Sequence, residues 1–484
     1  MDMKREDIEK IYDQGKEAVI LYVQDIVREF TAKIEALTER VSELEKQIAK
    51  NSHNSSKPPS SDGLRKRKMT RSQRKRSGKK SGGQDGHKGS TLEMTDKPDH
   101  VRKLRVKRCN CCGKSLKGVR PKGYEARQKF EIPAPIVEVT EYQAEITDCP
   151  NCGMENRASF PEGITHRTQY GNNLRSIAVY LRNYQLIPLE RTAEIFEDLF
   201  SVPLSEGTVV AASIRCAEAL RGFEEWVIES IKKSPVVNFD ESGINMGGSL
   251  HWLHTAGTPL LTAYFAHKRR GSEAFDAMSI LPGFTGTAVH DHLPAYFKYS
   301  CTHSLCNAHH IRELIYVLEQ EGQKWAQKMI DCLVEIKESV EIAARRGKLI
   351  TSSLMRFYER KYKGILRQGF RINSPPEADA VKKRGRKKKT KTLNLLIRLR
   401  DFEKETLAFM YDFDVPFDNN LAERDIRMIK VQQKISGLFR TMCGAEQFCR
   451  IRSFISTVRK QGLNVIKAIY QIMCGRLLYL DFSC

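Results

Sequence analysis

The chain has 484 residues, with 81 Lys and Arg against 59 Asp and Glu and a formal charge of +22. That length exceeds one ordinary core and leaves room for roughly two to four domains. The positive excess is gathered in runs, which points to nucleic acid as the partner. A membrane is excluded as the expected setting. No stretch holds about 18 consecutive uncharged apolar residues, and MDMKREDIEK lacks the basic-then-apolar layout of a signal peptide, so the expectation is a cytoplasmic protein.

Residues 1–50 carry Val23, Val27, Phe30, Ile34, Leu37, Val41, Leu44 and Ile48 at alternating spacings of four and three, flanked by Glu, Lys and Arg. This a/d seam predicts a coiled coil and hence a homo-oligomer. From Asn51 the composition turns to NSHNSSKPPSSDG, which ends the helix and leaves nothing to bury, so residues 51–100 read as a basic flexible linker. Within it, residues 64–80 hold ten basic and no acidic side chains, among them Arg65, Lys66, Arg67, Lys68, Arg74, Lys75 and Arg76. Such an arm neutralises phosphates without reading sequence.

Residues 101–165 contain Cys109 and Cys112 in CNCCG and Cys149 and Cys152 in CPNCG. Each CxxC sets two thiolates on one tight turn, and two such turns complete a tetrahedral structural Zn²⁺ site in a small zinc-ribbon-like module. The β-branched and aromatic segment between them, KFEIPAPIVEVTEYQAEI, predicts strands joining the two knuckles. Residues 166–234 read as helices. Within them RTAEIFEDLF, SVPL and SEGTVVAASIRCAEAL have the layout of a helix-turn-helix or of a plain helical hairpin, with Ser205 placed to cap the second helix.

After Pro235 the period becomes extended, and residues 235–309 read as the first part of an α/β catalytic domain. Asp240 is expected to end the first strand, in VVNFD, and Asp291 another, in GFTGTAVHDHLPAYF. Strand ends in α/β sheets carry ligand sites because their side chains emerge into a crevice. Residues 310–410 form a helical insertion, with a basic loop of eight Lys and Arg among the ten residues from Lys382 to Lys391. Residues 411–484 resume the catalytic domain and end in a helical tail. There VPFDNNLAERDIRMIK starts a helix with Glu423 in its first turn, Asp418 and Asp425 as rivals, and Arg424, Arg427, Lys430 and Lys434 as charges suited to a DNA backbone. Two-metal phosphoryl transfer needs two or three carboxylates, because Mg²⁺ takes oxygen ligands and a pair of ions flanks the attacking and leaving oxygens. Each acid also has a plainer role, Asp240 and Asp291 as turn caps and Glu423 closing a capping box with Asn420.

The coiled coil, NSSKPPSSDG, GGQDGHKG, the two knuckles, NFDESG, CNAHHIREL, VPFDNNLAERDIRMIK and KISGLFRT together resemble the transposases of the insertion-sequence sixty-six family, TnpC-type DDE enzymes, over nearly the whole chain. The resemblance implies a ribonuclease-H-like mixed sheet with a helical insertion before the last acid. It carries the DDE triad onto Asp240, Asp291 and Glu423, with two Mg²⁺ (or Mn²⁺) ions held there, and it implies a multimer acting on the terminal inverted repeats of its own element and on target DNA, with small accessory proteins as further partners. At one place the chain departs from the family pattern: a small residue often follows the second acid, and here His292 does. Cys306 and His309 in CNAHH have CxxH spacing, open between a metal ligand pair and a packed helix start. The leading reading is DNA cleavage followed by strand transfer. The competing ones are a catalytically inactive zinc-containing DNA-binding protein derived from a transposase, and a stand-alone nuclease, which cuts without joining.

Overall fold

The computed structural model describes residues 10–51, 54, 92–132, 137–373 and 389–476. The basic arm with Arg65, Lys66, Arg67, Lys68, Arg74, Lys75 and Arg76, and most of the basic loop at 382–391, lie outside these residues. The chain divides into two compact units, one of residues 1–71, 170–192 and 205–484, the other of residues 72–169 and 193–204. Among the described residues no helix is long and apolar enough to cross a membrane.

In the larger unit, α1 (Lys16–Ile48) is the long helix expected from the heptad spacing. All eight seam residues are exposed, between 43% and 66%. The linker expected from Asn51 is not free of contacts at its start. Asn51 and Asn54 exchange backbone-to-side-chain hydrogen bonds at 2.9 and 3.2 Å, and the buried Asn54 amide donates to the Ala49 carbonyl at 3.1 Å. Short polar side chains thus close the open carbonyl end of the helix.

The centre of this unit is a five-stranded mixed sheet. Its strands are β3 (Val236–Met246), β4 (Ser249–Gly257), β5 (Thr262–His267), β6 (Thr287–His290) and β7 (Thr302–Leu305), in the order β5-β4-β3-β6-β7. The first three form an antiparallel meander; β3 pairs parallel to β6, and β6 parallel to β7. The strand bearing Asp240 is longer than expected. It runs on to Met246 because DESGINM pairs residue for residue with β4, and the reversal falls at Gly247 and Gly248, whose φ of +55° and +80° suit a two-residue hairpin that glycine alone adopts without strain.

Side chains alternate across the sheet. Val237 and Phe239 enter a core with α4 (Glu206–Ala219), α5 (Arg221–Lys232), α6 (Ser272–Met278), α14 (Met442–Lys460) and α15 (Val465–Met473). Before these come α2 (Asn172–Val179), the wide turn Tyr180–Tyr184 and α3 (Leu189–Phe200); α4 is capped as expected, the Ser205 hydroxyl accepting from the Thr208 amide at 3.1 Å. The insertion between β7 and the last part of the domain is α7 (Asn307–Glu321), α8 (Lys324–Arg345), α9 (Ser352–Ile372), α10 (Lys391–Asp401) and the short turns α11 (Glu403–Thr406) and α12 (Ala408–Tyr411). It has its own core around Trp325, Tyr362, Leu396 and Leu399, which also receives Val289 of β6. At about 1.5–3 kcal/mol for each fully buried apolar side chain, that core ties the insertion to the sheet. Finally α13 (Asn420–Ile435) lays Ile426 and Ile429 on Ile244 and Leu253.

In the smaller unit, β1 (Ile146–Asp148) and β2 (Glu155–Arg157) form an antiparallel hairpin around the second knuckle. The strands expected through KFEIPAPIVEVTEYQAEI are absent before Ile146 among the described residues. Ile132 and Val139 there are 87% and 89% exposed, so the β-branched pattern has no sheet neighbour to bury it.

Candidate functional site

Three elements of the larger unit bring Asp240, Asp291 and Glu423 within range of one another's charge. β3 and β6 are paired only from Val236 to Asn238, and Asp240 stands two residues further, on the same face as Asn238. Asp291 follows the last residue of β6, and Glu423 lies in the first turn of α13. Asp240 feels the charges of both other acids. Burial pushes the Asp240 carboxyl well above the usual range, and the charges of Glu241, Asp291 and Glu423 push it further. Both Asp291 and Glu423 also act on His309.

Asn419 sets the position of α13. Its side-chain amide N–H donates to the Phe239 carbonyl at 2.7 Å, its side-chain Oδ1 accepts from the Asn238 amide at 2.8 Å, and its backbone N–H donates to the Cys306 sulfur at 3.2 Å. Glu423 then makes a first helical bond, its N–H to the Asn419 carbonyl at 3.1 Å. The Asn420 N–H donates to Asp418 Oδ1 at 3.1 Å, a side-chain turn at the entry to the helix. The Glu423 carboxylate faces α7 instead, with Oε1 3.7 Å from His309 Nδ1 and Oε2 3.5 Å from Arg312. Asp425 is engaged elsewhere: Lys460 donates to it at 2.6 Å and the Thr262 hydroxyl at 3.2 Å.

Around Asp291 the loop is tightly held. Its Oδ1 accepts from the Leu293 amide at 3.1 Å, and its Oδ2 lies 3.8 Å from Arg270. His292 takes φ +76°, the left-handed region in which a small residue is least strained, and its imidazole packs edge-on against Phe402. Burial pulls that imidazole down to about 4, helped by the charge of Arg398. A fourth carboxylate, Glu241, is buried beside these acids. It accepts from Arg270 Nε at 2.9 Å and from Tyr296 at 2.8 Å, and burial, followed by the charge of Asp291, pushes it up to about 7. Arg270 also lies 4.9 Å over the Trp252 ring. Arg424, Arg427 and Lys434 are exposed along α13, whereas Lys430 donates to the Gly243 carbonyl at 2.8 Å and is partly used in holding the helix on the sheet.

Residues 167–447 match the model of the transposase IS66 family. The chain belongs to the IS66 transposase family. Residues 107–153 match the zinc-finger binding domain of transposase IS66, and residues 6–93 match a family of unknown function. No curated protein matches the chain. For an IS66-family chain, DNA is the partner and zinc is a metal of the knuckle module.

Each knuckle of this IS66-family chain is formed as such a site needs. The Cys109 N–H donates to the Lys114 carbonyl and the Cys149 N–H to the Met154 carbonyl, both at 2.9 Å, while Gly113 and Gly153 take φ +69° and +70°. Backbone N–H groups, from Cys112 and Cys111 at one knuckle and from Asn151 and Cys152 at the other, draw the Cys109 and Cys149 thiols below their ordinary range. That donor set fits Zn²⁺. The structure does not bring the sulfurs of Cys109, Cys112, Cys149 and Cys152 into one ligand group: among the described residues the group it does assemble is Cys306, His309 and Glu423.

Reasoning from residue types missed Asn419, Glu241, Arg270 and Arg312. Asn419 and Glu241 stood inside quoted motifs, VPFDNN and NFDESG, but nothing local to them reveals a role. Arg270 and Arg312 depend on which strands and helices become neighbours.

Proposed function

We propose that this transposase cuts and joins DNA at the ends of its element through a DDE triad of Asp240, Asp291 and Glu423 on a ribonuclease-H-like sheet. The observation that carries the reading is the convergence of the three carboxylates from the middle of β3, the end of β6 and the start of α13, with the charges of Asp291 and Glu423 reaching Asp240. The strand order β5-β4-β3-β6-β7, three antiparallel strands followed by two parallel ones, supports the fold assignment.

Three carboxylates brought together in this way are an oxygen donor set suited to Mg²⁺ or Mn²⁺. When bound, a pair of such ions activates a water or a 3′-hydroxyl and stabilises the leaving oxygen. The chain's own groups prepare that site. Asn419 holds the start of α13, Arg312 holds one Glu423 oxygen, and Arg270 balances the charge of Glu241 and Asp291 beside a partly exposed opening. No covalent protein nucleophile is required; the protein positions DNA and stabilises charge. Arg424, Arg427 and Lys434, the arm at 64–80 and the zinc module with Cys109, Cys112, Cys149 and Cys152 supply DNA contacts. The unpartnered seam of α1 supplies self-association as a coiled coil.

Alanine at Asp240, Asp291 or Glu423 is expected to lower cleavage of DNA carrying the element's ends by at least about 100-fold, since metal-borne charge stabilisation is worth several kcal/mol. DNA affinity should stay within about threefold. Cleavage retained by any one variant removes that residue from the triad. Binding without cleavage by the intact protein, with accessory proteins added, favours the inactive DNA-binding reading.

A further inference from the structure

Cys306 immediately precedes α7 and His309 lies in its first turn, so CxxH spacing sends both side chains out of the same helix end. α13 brings Glu423 to them. One ligand atom from each residue lies within 4.8 Å of the others, the one group of three or more such residues among those described. His309 Nδ1 and Glu423 Oε1 are 3.7 Å apart, and both atoms are buried without a hydrogen-bond partner. A buried polar atom left in that state is costly, and a ligand shared between the two removes the cost.

The chemistry of the set is different from that of the acidic triad. Thiolate, imidazole and carboxylate together are the donors of Zn²⁺ and its borderline-soft neighbours, whereas Mg²⁺ takes oxygen. Zinc bonds of about 2.0–2.3 Å place tetrahedral ligands about 3.5 Å apart, close to the spacing of the His309 and Glu423 atoms. Supporting contacts are in place. The Asn419 N–H donates to the Cys306 sulfur at 3.2 Å, and Arg312 stands 3.5 Å from the other Glu423 oxygen, leaving Oε1 to turn inward.

We propose that Cys306, His309 and Glu423 form a second transition-metal site of this chain, of the zinc class, separate from the knuckles and sharing Glu423 with the catalytic triad. A fourth ligand is left to be supplied by water or substrate. On binding, the Cys306 S–H bond breaks, the S–Zn bond forms and the proton leaves to solvent; nothing is oxidised or reduced. A consequence rests on the reading of Glu423 as a triad member: zinc here competes for a catalytic ligand, so it opposes Mg²⁺-dependent cleavage.

The test uses the full chain equilibrated with Zn²⁺ and freed of excess, its metal content measured beside Cys306→Ser, His309→Gln and Cys109→Ser. The intact chain is expected to hold roughly two zinc ions, one in the knuckle module and one here. Each of the three variants should hold roughly one, and zinc affinity at this site should fall at least about 100-fold in Cys306→Ser. Co²⁺ added to chain already carrying knuckle zinc should give a thiolate-to-metal absorption band that Cys306→Ser lacks. His309→Gln, at a partly exposed side chain, keeps the test valid where the buried serine variant fails to fold. Equal metal content in the intact chain, Cys306→Ser and His309→Gln overturns the proposal. In Mg²⁺-dependent cleavage, micromolar Zn²⁺ should slow the intact chain and require at least tenfold more metal in Cys306→Ser; equal sensitivity overturns the sharing of Glu423. A chain that binds the second zinc but cuts no DNA under any divalent metal keeps this site and overturns the transposition chemistry instead.

Discussion

Replacing Lys460 by methionine tests how α13 is held in register with the sheet. The Lys460 ammonium lies at the end of α14 with a side chain 15% exposed, donating to Asp425 at 2.6 Å and to the Thr258 and Leu261 carbonyls at 2.8 and 3.0 Å. Asp425, 14% exposed, keeps only the Thr262 hydroxyl at 3.2 Å once the lysine is gone. Removing one partner of a buried pair leaves an uncompensated charge, which costs about 3–5 kcal/mol. A surface pair is worth about 0–1 kcal/mol. Urea unfolding of the full chain, followed by tryptophan fluorescence, should therefore show Lys460→Met destabilised by about 3 kcal/mol or more. The double variant Asp425→Asn/Lys460→Met should recover most of that loss, because the stranded charge is then absent. Asp425 is two residues from Glu423, so the single variant should also lower cleavage while leaving DNA binding in place. A loss below about 1 kcal/mol in Lys460→Met, or no recovery in the double variant, refutes the view that this pair is a buried clamp.

The His254 imidazole is packed edge-on against Phe275, and burial pulls it from 6.5 down to about 4. The unfolded chain therefore binds the extra proton between those values. Stability from this group is present above pH 6.5 and is lost as pH falls through 4, by up to about 3 kcal/mol. His254→Gln should flatten the acid limb of a urea-midpoint profile, and an unchanged slope counts against the assignment. Leu37→Glu, in the middle of the exposed seam of α1, should convert an oligomer to a monomer in sedimentation. A monomeric parent, or an oligomer untouched by the change, removes the coiled-coil reading. Deleting residues 64–80 should reduce the salt dependence of DNA affinity in proportion to the phosphates released; an unchanged slope shows a passive tail.

What was legible in the sequence was what short-range patterns encode. The heptad spacing predicted α1, and the positions of Asp291 beyond a strand and of Glu423 in a first helical turn followed from turn and helix-start signals that lie within a few residues. The insertion was legible because residues 310–370 are strongly helical in composition, and the structure places three helices there. The end of β3 was misplaced because Gly243 and the polar run DESGIN resemble a turn until β4 pairs with them, and pairing between strands is not written in either strand alone. The strands expected between the knuckles failed for the opposite reason: the propensity is there, but no partner covers it. At the site, the helix start bearing Glu423 was readable, while Arg312 and His309, which flank its carboxylate, stand more than about a hundred positions earlier in the chain, so their place beside it depends on the fold. Asp425 was a fair rival on spacing alone, and Lys460 at the far end of α14, with the Thr262 hydroxyl, engages it elsewhere.

We propose that three carboxylates of this IS66-family chain serve one reaction on DNA. Its most direct test is strand transfer in Mg²⁺ from DNA carrying the element's own ends into a target duplex, comparing the intact chain with Glu423→Ala. Joined product is expected from the intact chain, and from Glu423→Ala none above background with its end-binding unchanged. Joined product from the alanine variant at the intact rate contradicts it.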